Sequence, residues 1–324
     1  MPSEPTPQAL PTPAPNIVAA INLSFDLEQR GRLDEAIAVL RACLERAPGE
    51  RDVEWRLALL LLREGRFEEG WPLYERRPVH MGGRAEGKPK LAMPEWDGRP
   101  VRSILILQEQ GLGDQVMFAR YAPWFRDQGV KAAIMCHPLL ARLFERLGPD
   151  IQVLSAQGRV PLPASDAWAL GPSLPFLSRA QPGQAYLRAG PGGGGVGLLA
   201  RGNPGHVNDA NRSLPAEIAD RMAAWPGITD LAHAATGAKD LEDTARIIDG
   251  LDLVVTVDTA VAHLAGAMGK PCFLMLPFVP DWRWMRDRPD SPWYPSMRLF
   301  RQPAPGDWAS VMTEVRRALD ERGA

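Results

Sequence analysis

The chain is poor in several things, and each shortage excludes a class of protein. It has three cysteines in 324 residues, Cys43, Cys136 and Cys272, far apart and odd in number. No CxxC or Cys/His spacing is present, so neither a disulfide framework nor a structural zinc site is expected, and a reducing cytoplasm is the expected compartment. No excess of charge exists: 37 Lys and Arg stand against 39 Asp and Glu, net −2. A nucleic-acid binder usually carries a basic surplus or stripe, so none is expected. No run of about 18 apolar residues occurs, so no membrane span is expected. The N-terminus has no basic and apolar leader pattern, so no secretory signal is expected. Tyrosines number only four, yet tryptophans number ten, and there are 32 prolines and 30 glycines. At this length two or three domains are expected, each large enough for its own core.

Prolines crowd residues 1–16, which read as a disordered or polyproline-like tail. Residues 17–78 read as helices, and they repeat. Leu23, Leu27, Gly31, Arg32, Leu33, Glu35 and Ala36 recur 34 residues later as Leu57, Leu61, Gly65, Arg66, Phe67, Glu69 and Gly70. That period is the signature of tetratricopeptide repeats, here two of them. Gly31 and Gly65 fall at the turn inside each unit; Ala36 and Gly70 are small where helices cross. Two units are few for a free-standing array. They serve either as a docking adaptor or as a groove for a protein partner or acceptor. Residues 79–100 are rich in Gly, Pro and charge and read as a surface linker, with Trp96 as its anchor.

From Val101 strands and helices alternate. Strands are expected at Val101–Leu107, Ala132–Cys136, Ile151–Leu154, Val196–Leu199, Leu253–Val257 and Cys272–Leu276. Helices are expected from Asp114 and at Pro138–Leu147, Pro215–Ala224, Asp240–Asp249 and Thr259–Met268. Such alternation implies parallel sheets. The Gly-rich joint at 190–195 divides the region into two Rossmann-like halves, 101–189 and 190–324, whose ligands belong outside the carboxyl ends of the strands.

Four motifs lie at those ends. In ILILQEQGLGDQVMFARY (104–121), Gly111 and Gly113 let a ligand approach a helix start; Asp114 is either the helix N-cap or a carboxylate facing the cleft. In LDLVVTVDTAVAHLAGAMGKP (251–271), Asp258 and Thr259 follow a strand and open a helix. Their groups, with His263 one turn on, are placed to hold a phosphate. The alternative is that Asp258 caps the helix and His263 makes a core hydrogen bond. In ARGNPGHVNDANRSLP (200–215), Arg212 offers a fixed fork of donors to a phosphate, with Asn208 nearby; a solvated loop is the plainer account. In PDWRWMRDRPDSPWYPSMRLF (280–300), Trp282, Trp284, Trp293 and Tyr294 either stack on a ligand or plug the loop between the halves. No DxD pair points to a divalent metal, and no Ser/His/Asp arrangement is present.

Taken together, EQGLGD (109–114), GNPGHVNDANRS (202–213), VDTAVAHLAGAMGKP (257–271), DWRW (281–284) and SPWYPSMRLFRQ (291–302) resemble the GT-B glycosyltransferases related to ADP-heptose:lipopolysaccharide heptosyltransferases, glycosyltransferase family 9. More closely, the chain resembles bacterial tetratricopeptide-repeat proteins that carry such a domain. The resemblance implies an α/β fold, a GT-B-like pair of Rossmann-like domains, preceded by a short all-α tetratricopeptide segment. It implies an acceptor-binding first half and a donor-binding second half. It implies a metal-independent enzyme without a cofactor, moving a sugar from a nucleotide-sugar donor to a glycan, lipid-linked or protein acceptor. Asp114 is then the general base, worth roughly 10²–10⁴-fold in rate. Arg212, Asp258, Thr259 and His263 hold the donor's phosphates and sugar, Gly111 and Gly113 shape the loop beneath them, and Asn208, Trp282 and Trp284 are further contacts. The rival is an interaction adaptor whose GT-B domain binds without transferring.

Overall fold

The computed structural model describes residues 16–81, 84–85 and 87–323, and every structural statement below concerns those residues. The Pro-rich stretch before Asn16 lies outside them. The chain forms two compact units, one ending at Arg77 and one beginning at Pro78.

The first unit is two helical hairpins: α1 (Ile17–Gln29) with α2 (Leu33–Arg46), and α3 (Arg51–Arg63) with α4 (Phe67–Tyr74). Corresponding helices begin 34 residues apart, at 17 and 51 and at 33 and 67. Each hairpin turns on a left-handed glycine, Gly31 at φ 72° and Gly65 at φ 74°. Gly31 N–H donates to the Glu28 carbonyl and Arg32 N–H to that of Leu27; Gly65 and Arg66 repeat the pair on Leu62 and Leu61. This is the Schellman closure, which satisfies end carbonyls and needs a residue without a Cβ. Ala36, Ile37, Leu40, Val53, Leu57 and Leu60 form the core. Gly70 is small because a Cβ there would stand 2.8 Å from the Leu62 side chain. Beneath the core Glu28 accepts from Arg56 and Arg63, both at 2.7 Å and all three buried.

The second unit opens with a short hairpin, β1 (His80–Met81) and β2 (Arg84–Ala85). The segment that follows is not a free linker. Trp96 is buried, its ring edge-on to Phe125 at 5.0 Å, and its N–H donates to the Trp168 carbonyl while the Trp168 N–H donates to the Pro94 carbonyl. Then comes a four-stranded parallel sheet ordered β5-β4-β3-β6: β3 (Ser103–Leu107), β4 (Lys131–Cys136), β5 (Gln152–Ser155) and β6 (Ala167–Leu170). Between its strands lie α5 (Leu112–Phe118), α6 (Tyr121–Asp127) and α7 (Ala141–Phe144); α8 (Leu174–Ser178) follows it. The sequence reading has no counterpart for β6.

The Gly-rich stretch leads into a five-stranded parallel sheet ordered β11-β10-β9-β7-β8: β7 (Val196–Leu199), β8 (Ile228–Asp230), β9 (Leu253–Val257), β10 (Cys272–Leu276) and β11 (Met297–Arg301). Its helices are α9 (Asp209–Arg212), α10 (Ala216–Ala223), α11 (His233–Thr236), α12 (Leu241–Asp249), α13 (Ala260–Ala267) and α14 (Trp308–Arg322). β9 and β10 are buried along their whole length, as expected of strands covered on both faces. α14 lays Trp308, Val311, Val315 and Leu319 onto the core beside Leu253, Val255 and Phe273.

The sheets belong to one unit and are tied along one edge by charge. Arg142 pairs with Asp240 at 2.8 Å and Asp243 at 3.1 Å, and Arg146 with Glu242 at 2.6 Å and Asp249 at 2.9 Å. Four carboxylates near α12 thus hold two arginines of the first sheet's layer. The three cysteines are buried and unpaired. No helix among the described residues is long and apolar enough to cross a membrane.

Candidate functional site

The site lies where the carboxyl ends of β3, β7 and β9 converge. β3 is buried through Leu107 and runs into Gln108-Glu109-Gln110-Gly111. Gln110 sits at φ 66°, a left-handed conformation that costs a side-chain-bearing residue roughly 1–3 kcal/mol and clusters at functional loops. Gly111 is the N-cap of α5, and Asp114 is the third helical residue, its Oδ2 accepting from the Gly111 N–H at 2.8 Å. The N-cap alternative for Asp114 is therefore displaced by one turn: the aspartate closes the first turn from inside.

On the other side β9 ends at Val257. Thr259, not Asp258, caps α13, its Oγ1 accepting from the Val261 N–H at 3.3 Å. The cap therefore does not use the Asp258 carboxylate. Burial first, and then the Asp281 charge, push its pKa up to about 6, against the pull of Trp284, Arg212 and Arg283. His263 is buried, its Nδ1 2.9 Å from the Tyr294 hydroxyl and its ring 5.1 Å from that of Trp284. Burial, with Arg283, Arg120 and Arg212 around it, holds its pKa well below the ordinary imidazole value, so the ring is neutral. A neutral imidazole offers a single N–H, and in this structure His263 acts as a core hydrogen-bonding group.

The two loops meet. A Cβ on Gly113 would stand 2.8 Å from His263 Cδ2 and 3.5 Å from Ala260 Cα. Only a glycine lets the start of α5, where Asp114 is the next residue, lie this close to α13. The loop after β7 brings Arg212, half-buried and 3.4 Å from Asp209, with Asn208 half-buried beside it. His206 titrates below its usual value, chiefly through burial and then Arg212, with Asp209, Asp114 and Asp281 opposing.

The aromatic loop is a plug. Trp282, Trp284, Trp293 and Tyr294 are all buried, Trp284 completely. Rings without exposed faces have nothing to stack on a ligand in this conformation. The residue this loop does deliver is Arg283, which the motif reading passed over. It is 7% exposed, lies over the Trp282 ring at 4.4 Å, and reaches from the second sheet's side to Asp114 Oδ1 on the first. It also donates to Asp281 Oδ1 at 2.8 Å and Gln110 Oε1 at 3.3 Å. Glu109, buried at 2%, is a second carboxylate on this loop that the sequence reading did not single out. The arrangement therefore joins a proton acceptor, two arginines and a helix N-terminus at one cleft. No group of three or more His, Cys, Asp or Glu among the described residues is spaced to hold a metal ion.

Comparison with known proteins gives one family match and several resemblances. Residues 205–273 match the model of glycosyltransferase family 9 (heptosyltransferase), a span that takes in Asn208, Arg212, Asp258, Thr259 and His263. Protein FlbA of Caulobacter vibrioides is 28% identical over 372 aligned positions, which cover 94% of this chain; the chain spans 61% of that relative's length. Among solved structures, E. coli heptosyltransferase WaaC with ADP overlays at a TM-score of 0.41 with 14% identity, covering 68% of this chain and 98% of WaaC. The dodecameric iron-containing glycosyltransferase TibC from enterotoxigenic E. coli overlays at 0.45, also with 14% identity, over 68% of this chain and 67% of TibC.

Proposed function

We propose that this chain is a GT-B glycosyltransferase that moves a sugar from a nucleotide-sugar donor to a glycan, lipid-linked or protein acceptor, with Asp114 as general base. The observation that carries the reading is the Arg283 bridge to Asp114 beside the close approach of Gly113 to α13, together with the family 9 match at residues 205–273, which hold Arg212, Asp258, Thr259 and His263. The acceptor hydroxyl gives its proton to Asp114 as its oxygen bonds to the anomeric carbon. The bond from that carbon to the phosphate oxygen breaks, and the nucleoside diphosphate leaves with the electron pair. Thr259, the N–H groups that open α13 and Arg212 meet the leaving charge, a role the reading gives to protein groups and not to a metal ion. Asp258 and His263 support the donor from beneath, His263 through Tyr294. Asn208 borders the same space; Trp282 and Trp284 shape its wall.

In this reading α1–α4 are two tetratricopeptide repeats that dock a protein partner or acceptor, and the chain works in the cytoplasm without a cofactor or nucleic acid. The rival, an adaptor whose second unit binds without transferring, draws support from the Asp114 carboxylate being engaged on both oxygens. Asp114→Asn separates the two. Transfer from a panel of nucleotide sugars, a heptose donor first, is expected to fall by about 10² or more while donor binding, read as a thermal shift, persists. Undiminished transfer or donor hydrolysis in the variant refutes the base assignment. A parent chain that no nucleotide sugar shifts is the adaptor.

A further inference from the structure

Arg212 and Arg283, the two arginines proposed to meet the donor, are both paired with carboxylates. Arg212 rests on Asp209, and Arg283 rests on Asp281 and Asp114. Both oxygens of Asp114 are accepting: Oδ2 from Gly111 N–H, which is part of the helix cap, and Oδ1 from Arg283. The cap bond is local and spans three residues; the Arg283 bond spans 169 and crosses from one sheet's layer to the other's. An acceptor hydroxyl needs one carboxylate oxygen within hydrogen-bond reach, and the one Asp114 oxygen that the cap does not use is covered by the Arg283 guanidinium. Arg283 is also the arginine with somewhere to go. Its anchor at Asp281 Oδ1 and its stacking on Trp282 hold the side chain in the cleft whether or not its Asp114 contact persists. A guanidinium fork takes a phosphate as readily as a carboxylate, with the same bidentate geometry.

Resting on the function proposed above, we propose that Arg283 is a donor-responsive gate on the general base. Arg283 is paired with Asp114 Oδ1. When a nucleoside diphosphate group arrives at α13, the Arg283 fork transfers to its phosphate oxygens, and Asp114 Oδ1 is released toward the acceptor. The base is then exposed only when a donor is present. The step that follows is the one already written: proton to Asp114, acceptor oxygen to the anomeric carbon, and the diphosphate leaving with the electron pair on its own oxygen, its charge met by Arg283 and Arg212. The exchange also accounts for a site that binds an anion with as many carboxylates as it has: the carboxylates hold the arginines in place until the phosphates replace them.

The test is a double-mutant cycle on the full chain, read by isothermal titration calorimetry with ADP, GDP and UDP and with their parent nucleosides. Arg283→Gln is expected to weaken the best-binding diphosphate by about tenfold or more, the scale of a lost charge-assisted hydrogen bond, and to leave the nucleoside within about twofold. Asp114→Asn is expected to tighten the same diphosphate by about three- to tenfold, because the competing carboxylate charge is gone. In the Arg283→Gln background that gain is expected to fall below about twofold, since the gate has nothing left to release. Arg283→Lys keeps the charge without the fork and should fall between. Equal loss for nucleoside and diphosphate makes Arg283 a structural residue and overturns the proposal. So does an Asp114→Asn gain of the same size in both backgrounds, which is plain charge repulsion. Should both Arg283 variants fail to fold, Asp114→Asn alone still decides: unchanged or weaker diphosphate binding overturns the gate. If none of the three diphosphates binds the parent chain, the reading of the site falls, and the gate with it. If they bind and Arg283→Gln changes nothing, only the gate falls.

Discussion

Gly113→Ala places one methyl at the closest approach of the two sheets' layers. The backbone there is not left-handed, so the substitution meets no φ penalty. In an exposed helix such a change gains up to about 1 kcal/mol through propensity. Here the new Cβ stands 2.8 Å from His263 Cδ2 and 3.5 Å from Ala260 Cα, and the first distance is shorter than Cβ atoms tolerate. The His263 ring cannot retreat cheaply. Its Nδ1 is bonded to the Tyr294 hydroxyl at 2.9 Å, it lies against Trp284 at 5.1 Å, and it is 5% exposed. Tilting the ring gives up a net hydrogen bond of about 1 kcal/mol; parting the helices exposes packed apolar surface. Overpacking a tight site costs about 1–3 kcal/mol, so the net change is a loss of about 1–2 kcal/mol. For a unit of this size each kcal/mol lowers Tm by about 2–4 °C, which gives a drop of about 2–8 °C in calorimetric or circular-dichroism melting. In a His263→Ala background the obstacle is gone and the same methyl should cost less than about 0.5 kcal/mol, an interaction visible because the residues touch. A Gly113→Ala chain as stable as the parent, or equally destabilised with and without His263, refutes the close-approach argument.

Asp258→Asn should stabilise the chain at pH 7.5. The folded pKa of about 6 lies above the ordinary 3.8, so the folded state binds the proton more tightly than the unfolded one. The penalty is complete above pH 6 and disappears as pH falls toward 4; its ceiling is about 3 kcal/mol. Melting parent and variant at pH 7.5 and 4.5 checks this: the gain should shrink to about a third at pH 4.5, and an undiminished gain contradicts it. Gly65→Ala forces a side chain into φ 74° and should cost the helical unit about 1–2 kcal/mol. Amide hydrogen exchange is expected to speed up about 5–30-fold in α1–α4 and not in residues 87–323, since the two units hold separate cores.

The parts of this architecture that sequence makes legible are those written by local rules. The 34-residue echo of Gly31-Arg32 in Gly65-Arg66 places both hairpin turns, because a left-handed closure demands glycine at one position only. Leu253–Val257, apolar but for Thr256, and Cys272–Leu276, wholly apolar, are both strands at those bounds. β6, Ala-Trp-Ala-Leu, is four residues long and framed by Asp166 and Gly171-Pro172, too short and too mixed for periodicity to single out. β8 is three residues long, of which Thr229 and Asp230 are exposed. In the site, Asp114, Thr259 and Arg212 are legible because strand ends and helix starts advertise themselves. Arg283 is not. Its importance rests on a loop folding back across 169 residues onto Asp114, and the surrounding tryptophans draw attention to stacking when burial is their task. Which of Asp258 and Thr259 caps α13 is likewise decided by backbone geometry that two adjacent capping residues leave open.

The equal spacing of the helix starts sets how the first unit can change in length. A 34-residue insertion after Glu50 would deliver the chain to Arg51 with the same direction and the same apolar face turned inward. Added rungs that keep the 34-residue spacing would carry with them the residues that close each hairpin, a glycine and the arginine after it. Reach is adjustable in steps of one hairpin, while the chemistry of the second unit, built from its own sheets and its own core, is left untouched by the count.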